Sequence, residues 1–187
     1  MQEYKKSLVV PQHPKRKLFM LCPVGLVGSG KTTVVKPLCE MLSLVRISGD
    51  EVRRLLKERG MGYEPLVPIA KALAEEFLAQ GISVAIDSDS VSPRNRKVIA
   101  DSQTKYSALP VWVHIAPPEK FILDKLRNFK HTWLFKDAEE AVANYEQRKP
   151  LHSNLDINFI YTFDTSRDDV ALQIQEAAER IEKLVAS

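Results

Sequence analysis

From Lys17 onward, short runs of apolar residues alternate with longer stretches in which apolar residues return every three or four positions. A short apolar run closed by a turn predicts a strand covered on both faces, and the longer spacing predicts an amphipathic helix. Residues 18–22, 44–47, 82–86, 111–115 and 159–163 read as strands. Helices are expected over 30–42, 50–58, 65–80 and 93–102, and from Pro118 to about 129. A terminal helix opens at Ser166 and Asp169, a variant of the capping box. Ile69, Leu73 and Phe77 give the 65–80 helix one apolar face, and Gly81 stops it. Ser92 and Pro93 suit an N-cap and a first helical position. Pro37 falls inside the first long helix and predicts a bend. Strands exchanging with helices in this way give an α/β fold with a parallel sheet.

Composition narrows the picture without redirecting it. The 187 residues suit one domain, and 44% hydrophobic with 27% charged residues is ordinary for a soluble globular chain. No window offers the roughly 18 apolar residues of a spanning helix, and no secretory pattern opens the chain, so a cytoplasmic protein without a membrane role is expected. Cys22 and Cys39 sit among apolar neighbours and read as buried thiols. A net charge of +3 from 27 basic and 24 acidic residues demands no polyanionic partner. The basic excess is partly local: Lys5, Lys6, Lys15 and Arg16 crowd residues 1–16 beside Pro11 and Pro14. That stretch reads as a flexible arm, solvated or touching phosphate backbones, ahead of one domain over 17–187.

The most specific segment is Gly25-Leu26-Val27-Gly28-Ser29-Gly30-Lys31-Thr32-Thr33, a full match to G-x-x-x-x-G-K-[ST] between a strand and a helix. It holds three of the seven glycines, and a chance match over the whole chain is expected less than about once in 100 such sequences. Glycines let backbone amides turn around phosphate oxygens, the helix start adds positive potential, and Lys31 neutralises the outer phosphates. The candidate nucleotide contacts are therefore Gly25, Gly28, Ser29, Gly30, Lys31, Thr32 and Thr33. The Thr32 hydroxyl suits Mg²⁺, a cation that prefers oxygen.

Asp87 ends the third apolar run and is the candidate second metal-side group, the alternative being a cap or turn role. Asp89 is the lesser substitute. Ser88 stands where many ATPases carry a water-activating glutamate, which argues against hydrolysis as the reaction. Asp50 and Arg53 share a face at the start of the 50–58 helix, where a carboxylate suits an acceptor's hydroxyl proton and a guanidinium suits an anion. The bland alternative is a capping aspartate in an exposed salt bridge.

With this cradle, then Asp50-Glu51-Val52-Arg53, then a strand ending in Asp87 and followed by Arg94 and Arg96, residues 18–184 resemble a small P-loop kinase. The similar branch contains polynucleotide 5′-hydroxyl kinase domains, zeta-toxin-like kinases and small-metabolite kinases such as adenylylsulfate, gluconate and shikimate kinases. The resemblance implies a three-layer P-loop NTPase fold: a mostly parallel five-stranded sheet, helices on both faces and a short helical lid. It implies ATP and Mg²⁺ as cofactors, Asp50 as catalytic base, and Arg53 with Arg96 as acceptor contacts. It places a basic lid within 123–151, where Arg127 and then Arg148 are the charge-stabilising candidates beside Lys125, Lys130 and Lys149. Trp133, Phe135 and Tyr145 read as core packing rather than base-stacking rings, and Thr165 as a nucleotide contact.

The expected activity is transfer of the γ-phosphoryl group of ATP to a hydroxyl acceptor, a small metabolite or a nucleic-acid 5′-hydroxyl. Nucleic acid is compatible but not required, and no obligate protein partner is legible. The rival readings are a nucleotide kinase with a phosphate acceptor, a nucleotide-dependent switch or ATPase, and a pseudoenzyme.

Overall fold

The computed structural model describes residues 2–11, 16–128 and 134–186. Five strands, β1 (Phe19–Val24), β2 (Val45–Ser48), β3 (Val84–Asp87), β4 (Leu109–Ile115) and β5 (Tyr161–Phe163), form one sheet in the order β2-β3-β1-β4-β5. Every pairing is parallel. The first strand is central and buried along its whole length, as its unbroken apolar run predicts.

Period-two alternation sends neighbouring residues of β1 to opposite cores. Phe19 and Leu21 meet Val34, Val35 and Leu38 of α2 (Lys31–Met41) and Ile174, Ala177 and Ile181 of α8 (Val170–Val185). Met20 and Cys22 meet Val52 and Leu56 of α3 (Gly49–Glu58), Leu73 and Phe77 of α4 (Leu66–Ala79) and Ile99 of α5 (Pro93–Tyr106). A third, small cluster joins α6 (Glu119–Arg127) and α7 (Ala138–Arg148) to Leu26 and Val27. Phe135 and Tyr145 pack there, as expected; Lys130, His131 and Trp133 lie outside the described residues.

Several local expectations shift. β1 runs through Pro23 because its ladder to β3 pairs only Met20 and Leu21, and the Pro23 carbonyl instead accepts from the Ser90 amide at 3.1 Å. Helix α2 does carry Pro37 inside it, as expected. The terminal helix starts at Val170, not at Ser166: Asp164 Oδ1 accepts the Ser166 amide at 3.0 Å and holds a turn, and Asp169 makes no side-chain cap bond. Residues Gln2–Ser7, within the stretch expected to be a solvated arm, form α1, and its Tyr4 is buried against β2 and α3. Both cysteines are buried, and burial pushes both thiols up. No helix among the described residues is long and apolar enough to cross a membrane.

Because all five strands run the same way, the residues after Val24, Ser48, Asp87, Ile115 and Phe163 emerge at one edge of the sheet. Ligands of open α/β sheets bind at that carboxyl edge.

Candidate active site

The loop after β1 closes onto the end of β4. A Cβ on Gly25 would stand 2.7 Å from the Ser29 hydroxyl oxygen and 2.8 Å from the Ile115 carbonyl oxygen, so only glycine fits. Gly28 and Gly30 hold φ at +80° and +87°, left-handed values that turn the loop inward. Gly30 then caps α2 without a side-chain hydrogen bond, which leaves first-turn amides free to meet an anion. Thr32 and Thr33 are exposed on that first turn. Thr165 braces the loop from the β5–α8 connection: its Oγ1 donates to the Ser29 carbonyl at 2.7 Å, and its side chain stands against Gly30.

The Lys31 ammonium donates to the carbonyls of Gly25 at 2.7 Å and Leu26 at 2.9 Å, arching over the loop. Burial pulls it below the ordinary lysine range. Asp89, Asp50 and Asp87, in decreasing order, resist that fall, and Arg53 adds to it. Side chains from three separate stretches thus share one electrostatic environment. Asp50, Arg53 and Asp87, which the sequence singled out with Lys31, all act on its ammonium, as does Asp89.

Asp87 closes β3 beside Ser48 of β2, and only 3% of its side chain is exposed. Arg46 donates from Nη1 to Asp87 Oδ2 at 2.8 Å, and its Nη2 pairs with Glu51. Burial raises the Asp87 carboxyl above its usual range, with Arg46 opposing. Sequence reading missed Arg46, although a lone charge between Val45 and Ile47 in a strand must find a partner.

Asp89 is held differently. Its Oδ2 lies 3.1 Å from His152 Nε2, at the end of the 3-10 turn Lys149–His152, and His152 is 7% exposed. Its Oδ1 is buried without a hydrogen-bond partner among the described residues. The backbone around it is pinned: Asn95 Nδ2 donates to the Asp89 carbonyl at 2.8 Å. His152 carried no readable signal, because its partner lies 63 residues away.

Ser48, not Asp50, caps α3, its hydroxyl accepting from the Glu51 amide at 3.4 Å. Asp50 is therefore free of the capping role, and pairs with Arg53 on the outer side of the first turn with 46% of its side chain exposed. The Tyr4 hydroxyl accepts from the Ser48 amide at 2.8 Å, so α1 braces this junction.

Among the described residues, no basic side chain of 123–151 joins the charges that act on Lys31. Arg127, at the end of α6, is exposed and stands 3.8 Å from Asp124, while Arg148 is partly buried and makes no ion pair among the described residues. Helix α6 does rest on the loop, with Ile122 and Leu126 against Gly28. Arg96 is exposed and lines a groove with Trp112, Asp156 and Ile160, where Pro110 and Leu184 also lie, rather than joining the Lys31 cluster. Among the described residues no three His, Cys, Asp or Glu side chains converge as a metal cage.

Residues 19–149 match the family model described as AAA domain. The chain is 28% identical over 177 residues to the bifunctional shikimate kinase/3-dehydroquinate synthase of Thermotoga maritima, covering 85% of this chain and 32% of that relative. It thus spans about a third of that protein's length. Among solved structures, the APS kinase of Mycobacterium tuberculosis in complex with AMPPNP and APS superposes with a TM-score of 0.59 at 16% identity, over 90% of this chain and 99% of that one. A gluconokinase from Sinorhizobium meliloti gives 0.56 at 16%, over 90% and 93%. Shikimate kinase from Bacteroides thetaiotaomicron gives 0.53 at 17%, over 89% and 97%. At these identities the structural likeness establishes the fold, which is that of P-loop kinases.

Proposed function

The chain belongs to the AAA domain family, and on that premise we propose that it is an ATP- and Mg²⁺-dependent kinase that phosphorylates a hydroxyl of a small metabolite. The observation that carries this reading is the glycine-formed loop with Lys31 arched over it at the carboxyl edge of the sheet, the same edge at which β2 leads into α3 and its Asp50/Arg53 pair. A switch needs the loop but not an acceptor carboxylate beside it. The kinase relatives named above lend support through shikimate, APS and gluconate, all of which offer a hydroxyl.

In this reading the loop amides and Lys31 hold the triphosphate and spread the charge that develops on the γ-phosphoryl oxygens. Thr32 and a carboxylate at the end of β3 or just beyond it, Asp87 or Asp89, would hold Mg²⁺, which would supply neutralisation of the phosphate charge. Arg53 anchors the acceptor and releases Asp50, whose carboxylate takes the proton as the acceptor oxygen bonds to phosphorus and the bond to ADP breaks. Their pairing is easily broken, since exposed ion pairs contribute only about 0–1 kcal/mol. Arg127, exposed at the end of α6 in a loose pair with Asp124, is the residue that swings toward the transferring group when α6 and α7 close.

The test is transfer of labelled γ-phosphate from ATP to pooled metabolites, nucleoside monophosphates and 5′-hydroxyl oligonucleotides. Label on a metabolite alcohol in the wild type and none with Lys31→Ala supports the reading. Label only on a monophosphate makes the protein a nucleotide kinase, and acceptor-independent release of phosphate makes it an ATPase.

A further inference from the structure

We propose that Asp89, oriented by His152, is the carboxylate that serves Mg²⁺ and the phosphates at the cradle, and that Asp87 serves the fold by holding Arg46. The assignment rests on the kinase reading and names the residue that completes its metal side. It reverses the order that sequence position suggests, since Asp87 is the residue that ends the strand.

The two carboxylates differ in what they have left to give. Asp87 is enclosed and committed to Arg46, which is itself shared with Glu51. Drawing Asp87 toward a cation would leave the Arg46 guanidinium with Glu51 alone and its Nη1 without the buried carboxylate, and breaking a buried pair is costly. Asp89 has one oxygen fixed by His152 and the other without a partner among the described residues. An enclosed acceptor oxygen with no donor is unfavourable, and a hydrated cation at its side would relieve that cost. Asp89 also acts on Lys31, opposing the fall that burial imposes on that ammonium.

His152 supplies the orientation. The backbone of this loop is fixed by Asn95 on the Asp89 carbonyl and by the Ser90 amide on Pro23, so the side-chain torsion of Asp89 is what remains to be set. His152 sets it from the turn that follows α7, next to the lid helices. Ligand carboxylates are commonly held by such an outer partner, whose loss lowers metal affinity by about 10- to 100-fold.

Titration calorimetry of ATP with and without Mg²⁺ tests this apart from turnover. The readout is the ratio of the two affinities, with thermal melts to verify folding of each variant. In the wild type Mg²⁺ should tighten ATP binding, and Asp89→Asn should bring the ratio close to one while binding of free ATP persists. Asp87→Asn should keep the ratio and lower the melting temperature. His152→Ala should cut the ratio by about tenfold, and His152→Gln, which can still donate to the carboxylate, should restore most of it.

A ratio unchanged in Asp89→Asn, or lost in Asp87→Asn alone, overturns the assignment. If Asp87→Asn does not fold, Asp89→Asn with the two His152 variants decides. A wild type that binds ATP with no Mg²⁺ dependence overturns the assignment but leaves nucleotide binding standing; a wild type that binds no ATP removes the kinase reading as well.

Discussion

On one side of Lys31 the site is made of backbone; on the other it is made of side-chain pairs. The loop from Gly25 to Gly30 depends on absent side chains and unusual torsions, wedged between the end of β4 and Thr165. The β2–β3 side depends on charges that meet across the chain: Arg46 with Asp87, Asp89 with His152, and the Tyr4 hydroxyl on the Ser48 amide. The first arrangement suits one kind of group, a chain of phosphates, and at Gly25 it leaves no room for a side chain. The second divides its acids between holding the fold and remaining available, and it is where an enzyme of this fold can adapt to a new acceptor.

The comparison breaks most visibly at the acceptor acid. Asp50→Asn should lower phosphoryl transfer by about 10²- to 10⁴-fold, the range for loss of a general base, with ATP affinity by calorimetry unchanged. Unchanged turnover would move the proton elsewhere. Lys31→Ala should cost about 10²- to 10³-fold in transfer, as loss of a charge-stabilising donor does, and should weaken ATP binding as well. The contrast in ATP affinity between these two variants is what separates the sides.

Gly25→Ala sharpens the backbone side. The added methyl meets the Ile115 backbone oxygen, which cannot swing away as a side chain could, so a destabilisation of about 1–3 kcal/mol is expected in urea unfolding, together with loss of ATP binding. The smallest effect is at Tyr4→Phe. Removing the phenol oxygen leaves the Ser48 amide unpaired for about 1–2 kcal/mol. Hydrogen exchange at Ser48 should rise, whereas an unaltered rate would mean that α1 does not brace the junction.

Lys31 and its loop were readable because the loop's function follows from residues adjacent in the chain, each constrained by its own torsions or charge. The five strands were readable for a related reason: burial on both faces leaves an uninterrupted apolar signature whatever the neighbours. Strand ends were less so. β1 extends through Pro23 because pairing to β3 stops before it, a fact about a partner strand and not about proline. The opening of α8 was displaced because Asp164 holds a turn that consumes Ser166.

The acidic side was legible only as a set of candidates. Asp50 and Arg53 are three residues apart and follow from helix geometry. Arg96 was carried by resemblance, and its side chain lines a different groove. Nothing near Asp87 or Asp89 in sequence tells which is spent on an ion pair, because the answers arrive from Arg46 and from His152.

By itself, then, the amino-acid order determined a parallel α/β sheet and the glycine-formed loop at its carboxyl edge, since both arise from short-range sterics and local patterning. Tertiary structure alone decided that the amino-terminal residues dock through Tyr4, that Ser48 and not Asp50 caps α3, and which acids are already partnered. Charge and hydrogen-bond availability are set by whichever groups folding brings within about 3 Å, and those groups are distant along the chain.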